Sequence, residues 1–141
     1  MDLKIKKLHP NAVVPKYAKQ GDAGMDLYSV EDYSVPPGMT CKVKTGIAVE
    51  LPHGYVSLIW DKSGLATSHS IKTIGGVLDS GYRGEYIIGI INLGKKDYLI
   101  EKGDKVAQLL IQKIEHPTIK IVDQLSNSER GDNGFGSTGK K

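Results

Sequence analysis

The chain has 141 residues, 39% of them hydrophobic and 25% charged, with a net charge of +3; that length fits one domain with a real core. Weak charge spread evenly along the chain leaves no basic block for nucleic acid or a membrane surface. Cys41, the only cysteine, rules out an intramolecular disulfide and a cysteine-based zinc site. No apolar run approaches the roughly 18 residues of a spanning helix and the N-terminus shows no signal-peptide core, so the cytosol is the expected location.

Hydrophobic period two dominates in chain order. From Met39 to Val49 the odd positions Met39, Cys41, Val43, Thr45, Ile47 and Val49 form one face, while Thr40, Lys42 and Lys44 occupy the other. That pattern predicts a pair of strands hinged near Gly46, with Cys41 as a small core residue. Strands are predicted next over Tyr55–Trp60, Gly84–Leu93, Tyr98–Ile100, Val106–Ile114 and Thr118–Val122, all rich in Ile, Val and Tyr. Turns at Pro36-Pro37-Gly38, Pro52-His53-Gly54, Gly94 to Asp97 and Lys102-Gly103-Asp104 separate the strands. Only a short helical turn is expected, after Ser63-Gly64-Leu65-Ala66. Many short strands at regular spacing predict an all-β sandwich, barrel or jelly roll over residues 1–125. Residues 126–141 hold no Ile, Leu or Val but four glycines, so they read as a flexible tail outside the core. Phe135, the only phenylalanine, lies in that tail between Gly134 and Gly136. Chance placement is the plain reading, and a segment that folds over a ligand is the functional one.

Five short segments carry chemistry: Asp22 to Leu27, Lys62 to Ala66, Gly76 to Gly84, Lys102 to Leu109 and Arg130 to Gly139. Lys62-Ser63-Gly64 offers a cation, a hydroxyl and unhindered backbone. The Arg130 segment offers a guanidinium, hydroxyls and several glycine N–H groups. Both are suited to phosphate oxygens, although neither is a Walker motif. Asp26 and Asp79 are candidates for a metal's water shell or for activating water, against the plainer reading of turn or capping aspartates. His9, His53, His69 and His116 show no metal-ligand spacing. Ser63, His69 and Asp79 could be drawn as a hydrolase triad, but no nucleophile elbow surrounds Ser63. Arg130-Gly131-Asp132 reads as coincidence rather than as an adhesion signal.

Taken together and in order, the five segments resemble the motifs of the trimeric dUTPase family. The resemblance implies a β jelly roll, a homotrimer with shared active sites, and Mg²⁺-dependent hydrolysis of dUTP to dUMP and pyrophosphate by water attack on the α-phosphate. That reaction limits dUTP and supplies dUMP for dTTP synthesis. It further implies that Asp79 orients and deprotonates the water, and that Tyr82 packs on the deoxyribose and excludes a 2′-hydroxyl. The backbone of Gly76, Val77, Leu78 and Ile87 would read the uracil edge. Lys62, Ser63 and Gly64 would hold phosphates, with Asp26 (metal, through water) and Gln108 acting on the metal and phosphate side. Arg130 would contact the γ-phosphate, and Phe135, followed by Gly136 and Ser137, would close over the uracil.

Three positions depart from the family pattern: Lys62 stands for the usual arginine, Asp61 for a common proline, and Gly81 for a frequent aspartate. Lysine keeps the charge but loses the planar fork. The nearest rival is the related dCTP deaminase fold, which needs an additional glutamate on the base; Glu85 is the only acid of the hairpin strand. A non-catalytic relative would lack Asp79 or Arg130, and a carbohydrate-binding jelly roll leaves the glycine-rich tail unexplained.

Overall fold

A computed structural model describes residues 1–135 of the chain, so Gly136 and Ser137, two of the expected substrate contacts, lie outside the described residues. Ten strands and one short helix follow in order: β1 (Lys4–Lys7), β2 (Met25–Tyr28), β3 (Tyr33–Val35), β4 (Thr40–Glu50), β5 (Tyr55–Trp60), α1 (Ser63–His69), β6 (Ile71–Ile74), β7 (Val77–Asp79), β8 (Glu85–Asn92), β9 (Tyr98–Ile100) and β10 (Lys105–Lys113). The strands form two four-stranded sheets, ordered β1-β4-β8-β6 and β2-β10-β5-β7, and a two-stranded ribbon β3-β9. Every pairing is antiparallel. The result is the expected all-β, jelly-roll-like architecture. No described helix is long and apolar enough to cross a membrane.

The core lies between the two four-stranded sheets. Val43, Ile47, Tyr86, Ile88 and Ile90 come from one sheet, and Leu27, Ile59, Ala107 and Leu109 from the other. Burying such side chains contributes about 1.5–3 kcal/mol each, the main force that holds the layers together. The Tyr86 hydroxyl donates to Ser57 Oγ at 2.8 Å, so this buried polar tip is satisfied across the sheets.

Period two located the long strands well. β5 and β9 occupy the predicted ranges, and β8 and β10 differ from theirs by one residue at each end. The short strands β1, β2, β3, β6 and β7 did not stand out. β2 is buried at all four positions, so it offers no alternation to see.

Three expectations change. The predicted pair of strands around Gly46 is one strand, β4, with an irregular register between Lys44 and Ala48. Gly46 takes φ +68 there and a Cβ would sit 2.8 Å from Val30 Cγ1, so glycine absorbs the bulge without ending the strand. The displaced backbone is still paired, because Gly46 N–H donates to Glu85 Oε1 and the Gly46 carbonyl accepts Leu8 N–H. Cys41 packs against the core but is only half-buried. Thr118–Val122 forms no strand, and Ile119 and Ile121 are 91% and 95% exposed. The alternation is real, but the segment pairs with no described strand of this subunit.

Asn92 is the polar joint of the structure. Fully buried, it donates from Nδ2 to the carbonyls of Val35 and Lys96 at 2.7 and 2.8 Å, and its Oδ1 accepts Gly94 N–H at 2.8 Å. It therefore ties the end of β8 to β3 and to the turn that leads into β9. Asn92→Ala would strand the buried Val35 carbonyl and the partly buried Lys96 carbonyl and Gly94 N–H, so a loss of about 2–4 kcal/mol is expected. A urea midpoint that moves down with an unchanged slope checks this, and a change below about 0.5 kcal/mol would contradict it.

Candidate active site

β10 lies between β2 and β5, with Gln108 opposite Asp26 on one side and Trp60 on the other. Just beyond Trp60 the chain leaves β5 and turns into α1, which brings Lys62 back over this row. Asp26 is 5% exposed, and burial alone pushes its carboxyl upward. Contacts from Lys105 and Lys62, and their charge, outweigh that burial and hold the carboxyl below its usual range. Lys62 Nζ pairs with Oδ1, while Lys105 Nζ lies 2.7 Å from Oδ2. The Lys105 contact is an ion pair without good hydrogen-bond alignment, so buried Oδ2 keeps an acceptor site open. Gln108 Nε2 donates to the Asp61 carbonyl at 2.8 Å. A Cβ on Gly24 would lie 2.6 Å from Gln108 Oε1, so only glycine leaves room for that amide.

Ser63 and Gly64 begin α1 and are exposed. Lys62 stands at the helix N-cap with φ −83 and ψ 126, and no side chain caps the first turn. Asp26, Lys62, Ser63, Gly64 and Gln108 thus form one cluster of cationic groups, amide and free backbone donors.

The second group lies on the hairpin. β6 pairs with β8 only as far as Ile74↔Gly89. Extending that register would set Gly76 opposite Ile87, but the chain turns away there and β7 pairs with β5 instead. The cause is local: Gly76 takes φ +100, its carbonyl accepts Ile59 N–H at 2.7 Å, and a Cβ would lie 2.6 Å from Ile59 O. β7 and β8 therefore diverge into different sheets, a mouth with Gly76, Val77 and Leu78 on one side and Ile87 on the other. Val77 and Ile87 are 70% and 41% exposed. At its end Asp79 is exposed, with no protein hydrogen bond on its carboxylate among the described residues. Tyr82 stacks on Tyr86 at 6.3 Å and donates its hydroxyl to the Glu85 carbonyl, which fixes one ring face outward.

Asp79 and the Asp26–Lys62–Gln108 cluster do not meet within one chain. Asp79 sits opposite Val56 and Gln108 opposite Trp60, so about 13 Å of β5 separates their rows. Among the described residues Arg130 bonds within its own turn, through Nε to the Asn133 carbonyl at 2.8 Å, and Phe135 is fully exposed. Ser63 and His69 lie at opposite ends of α1, and the His69 ring meets Tyr98, so the drawn triad does not assemble. His53 and His116 stack at 5.5 Å, a pairing that sequence spacing conceals. Among the described residues, no three His, Cys, Asp or Glu side chains gather as a metal site. Lys105 was missed by sequence reasoning. It belongs to the fourth segment, but the register shift between Lys105 and Ala107 is what turns it toward Asp26, and only strand pairing shows that.

Because Asp26 has a lowered carboxyl pKa in the folded chain, its ion pairs stabilise the fold above the ordinary carboxylate range and fade as pH falls through the lowered value. Asp26→Asn should cost about 1–2 kcal/mol at pH 7, a figure reduced for the partly exposed lysines. The difference from the parent should hold from pH 7 down to about pH 5 and close only below about pH 4. Urea titrations at several pH values test this, and a gap that closes above pH 6 would contradict it.

Comparison with known proteins fits this arrangement. The family model described as dUTPase matches residues 10–139. The chain is 49% identical to the deoxyuridine 5'-triphosphate nucleotidohydrolase of Clostridioides difficile, with 98% of each chain covered. It is 46% identical to that of Clostridium tetani, covering 98% of this chain and 97% of the relative. Among solved structures, the Staphylococcus bacteriophage 80alpha dUTPase with dUPNHPP superposes with a TM-score of 0.94 at 33% identity over 98% of each chain. A mutant dUTPase from phage phi11 of S. aureus, described with a structural Mg(II) ion, superposes at 0.85 and 29% identity, covering 90% of this chain and 100% of that one. The family match over residues 10–139, with relatives 46–49% identical along nearly the whole chain, establishes that this chain belongs to the dUTPase family.

Proposed function

We propose that the chain hydrolyses dUTP to dUMP and pyrophosphate with Mg²⁺, in active sites shared between the subunits of a homotrimer. One observation carries the shared site: Asp79 and the phosphate cluster lie about 13 Å apart along β5. An attacking water must reach Asp79 and the α-phosphorus together, so one copy's hairpin has to meet another copy's phosphate cluster. Exposed Ile119 and Ile121 supply apolar surface for such an assembly.

The residues fit Mg²⁺ held chiefly by the substrate. No carboxylate cage exists among the described residues, while buried Asp26 Oδ2 keeps an acceptor open for a metal-bound water. When bound, Mg²⁺ neutralises and orients the triphosphate. Lys62, with Ser63 and Gly64, takes phosphate oxygens at the unblocked start of α1, and Gln108 orients the ordered water beside Asp26. The Asp79 carboxylate, free of protein partners, accepts a proton from water aligned on the α-phosphorus. Uracil enters the mouth between β7 and β8, where fixed backbone distinguishes it from cytosine by donor and acceptor order. A wrong edge leaves a buried group unpaired, at about 1–3 kcal/mol. The Tyr82 ring packs on the deoxyribose and leaves no room for a 2′-hydroxyl. Residues 126–141 act as a lid, with Arg130 on the γ-phosphate and Phe135 over the base, so that only the attacking water remains. Glu85, the one acid on β8 that a deaminase could use, has its Oε1 committed to Gly46 N–H at 2.8 Å.

With Mg²⁺, pyrophosphate release should be confined to dUTP in a panel with dCTP, dTTP and UTP; ammonia released from dCTP would overturn the reading. Asp79→Asn should lower kcat by several orders of magnitude with dUTP binding nearly unchanged. Chains truncated after Leu125 should be inactive alone. Refolding them with Asp79→Asn chains should restore activity, since some mixed sites combine an intact Asp79 with an intact tail. Mixed trimers that stay inactive would disprove the shared site.

A further inference from the structure

Asp61 lies between the end of β5 and the Lys62-Ser63-Gly64 turn, and both its ends are tied. Its Oδ1 accepts Thr73 N–H and the Thr73 hydroxyl, each at 2.6 Å, and Lys72 Nζ at 3.2 Å. Its Oδ2 lies 2.9 Å from the same ammonium, and the side chain is only 22% exposed. The Asp61 carbonyl accepts Gln108 Nε2 from β10. Thr73 is on β6, in one four-stranded sheet, while β5 and β10 belong to the other. One residue therefore bolts the two sheets together at the point where the chain enters the phosphate turn. Beyond Asp61 the turn is held more lightly: Lys62 Nζ pairs with Asp26, no side chain caps the first turn of α1, and Ser63 and Gly64 are exposed.

We propose that Asp61 is a positioning residue, whose clamp on Thr73 holds the Lys62-Ser63-Gly64 turn in the geometry that receives the triphosphate. The proposal deepens the dUTP reading above and rests on it. Donors held by a clamp bind phosphate without first losing their own freedom, so the clamp acts on the β- and γ-phosphate contacts and leaves the base and sugar contacts alone. Its loss should therefore separate ligands by phosphate number. A residue that only stabilised the fold would weaken all ligands alike.

The test is calorimetric binding with Mg²⁺ of dUMP and of a non-hydrolysable α,β-imido analogue of dUTP to the full chain. Asp61→Ala should weaken the analogue about tenfold to a hundredfold while dUMP changes less than about twofold. Asp61→Asn keeps an oxygen for the Thr73 donors and should recover the analogue to within about threefold to fivefold of the parent. Thr73→Val removes one hydroxyl donor from an otherwise unaltered strand and should show a smaller loss of the same selective kind. If Asp61→Ala does not fold, Asp61→Asn and Thr73→Val decide by the same criterion. Equal weakening of both ligands, or an analogue affinity unchanged in Asp61→Ala and Thr73→Val, overturns the clamp while leaving the dUTP reading intact. A parent chain that binds neither ligand overturns both.

Discussion

A buried carboxylate cannot stand without counter-charge, and Asp26 is the carboxylate around which the phosphate side is built. Its burial comes from β2, whose four residues are all inside. Left alone in that position it would be protonated or would destabilise the fold. Lys62 and Lys105 prevent both, each arriving from a different stretch of chain. The same two ammonium groups create the positive field that a triphosphate needs. The stability of the fold and the positive charge before α1 thus draw on one arrangement.

The base side depends on a different constraint, the refusal of the chain at Gly76 to continue its ladder with β8. A sheet that ran on past Ile74 would bury the backbone edge in pairing and leave no mouth. The positive φ of Gly76 and its bond to Ile59 N–H turn β7 onto β5. Both sides are thereby anchored to one strand, since β5 carries the hairpin on its flank and the phosphate turn at its end. That common origin sets their separation along the strand.

The departures from the family pattern acquire physical content from their contacts. Aspartate at position 61 restrains the turn by hydrogen bonds to Thr73 where a proline would restrain it by its ring. Lysine at position 62 reaches Asp26 as a single charged point, a role that needs no planar fork. Glu85 supports the bulge at Gly46, a structural task that removes it from base chemistry.

Period-two patterning alone determined the all-β class and the limits of the longer strands, because one buried face imposes alternation wherever a strand is long enough to show it. The ordered motifs likewise determined the family, since they match its pattern along nearly the whole chain. Tertiary structure alone decided the rest. β2 is buried on both faces and β7 is three residues long, so neither leaves a periodic trace. The alternation of Thr118–Val122 predicted a strand, but alternation records a face to be covered and not the partner that covers it. Lys105 reaches Asp26 only because the β10 register shifts, and Asp61 meets Thr73 only because two sheets converge there. Pairing register and sheet packing are long-range relations, set by closing distant segments against one another, and no local pattern of residues encodes them.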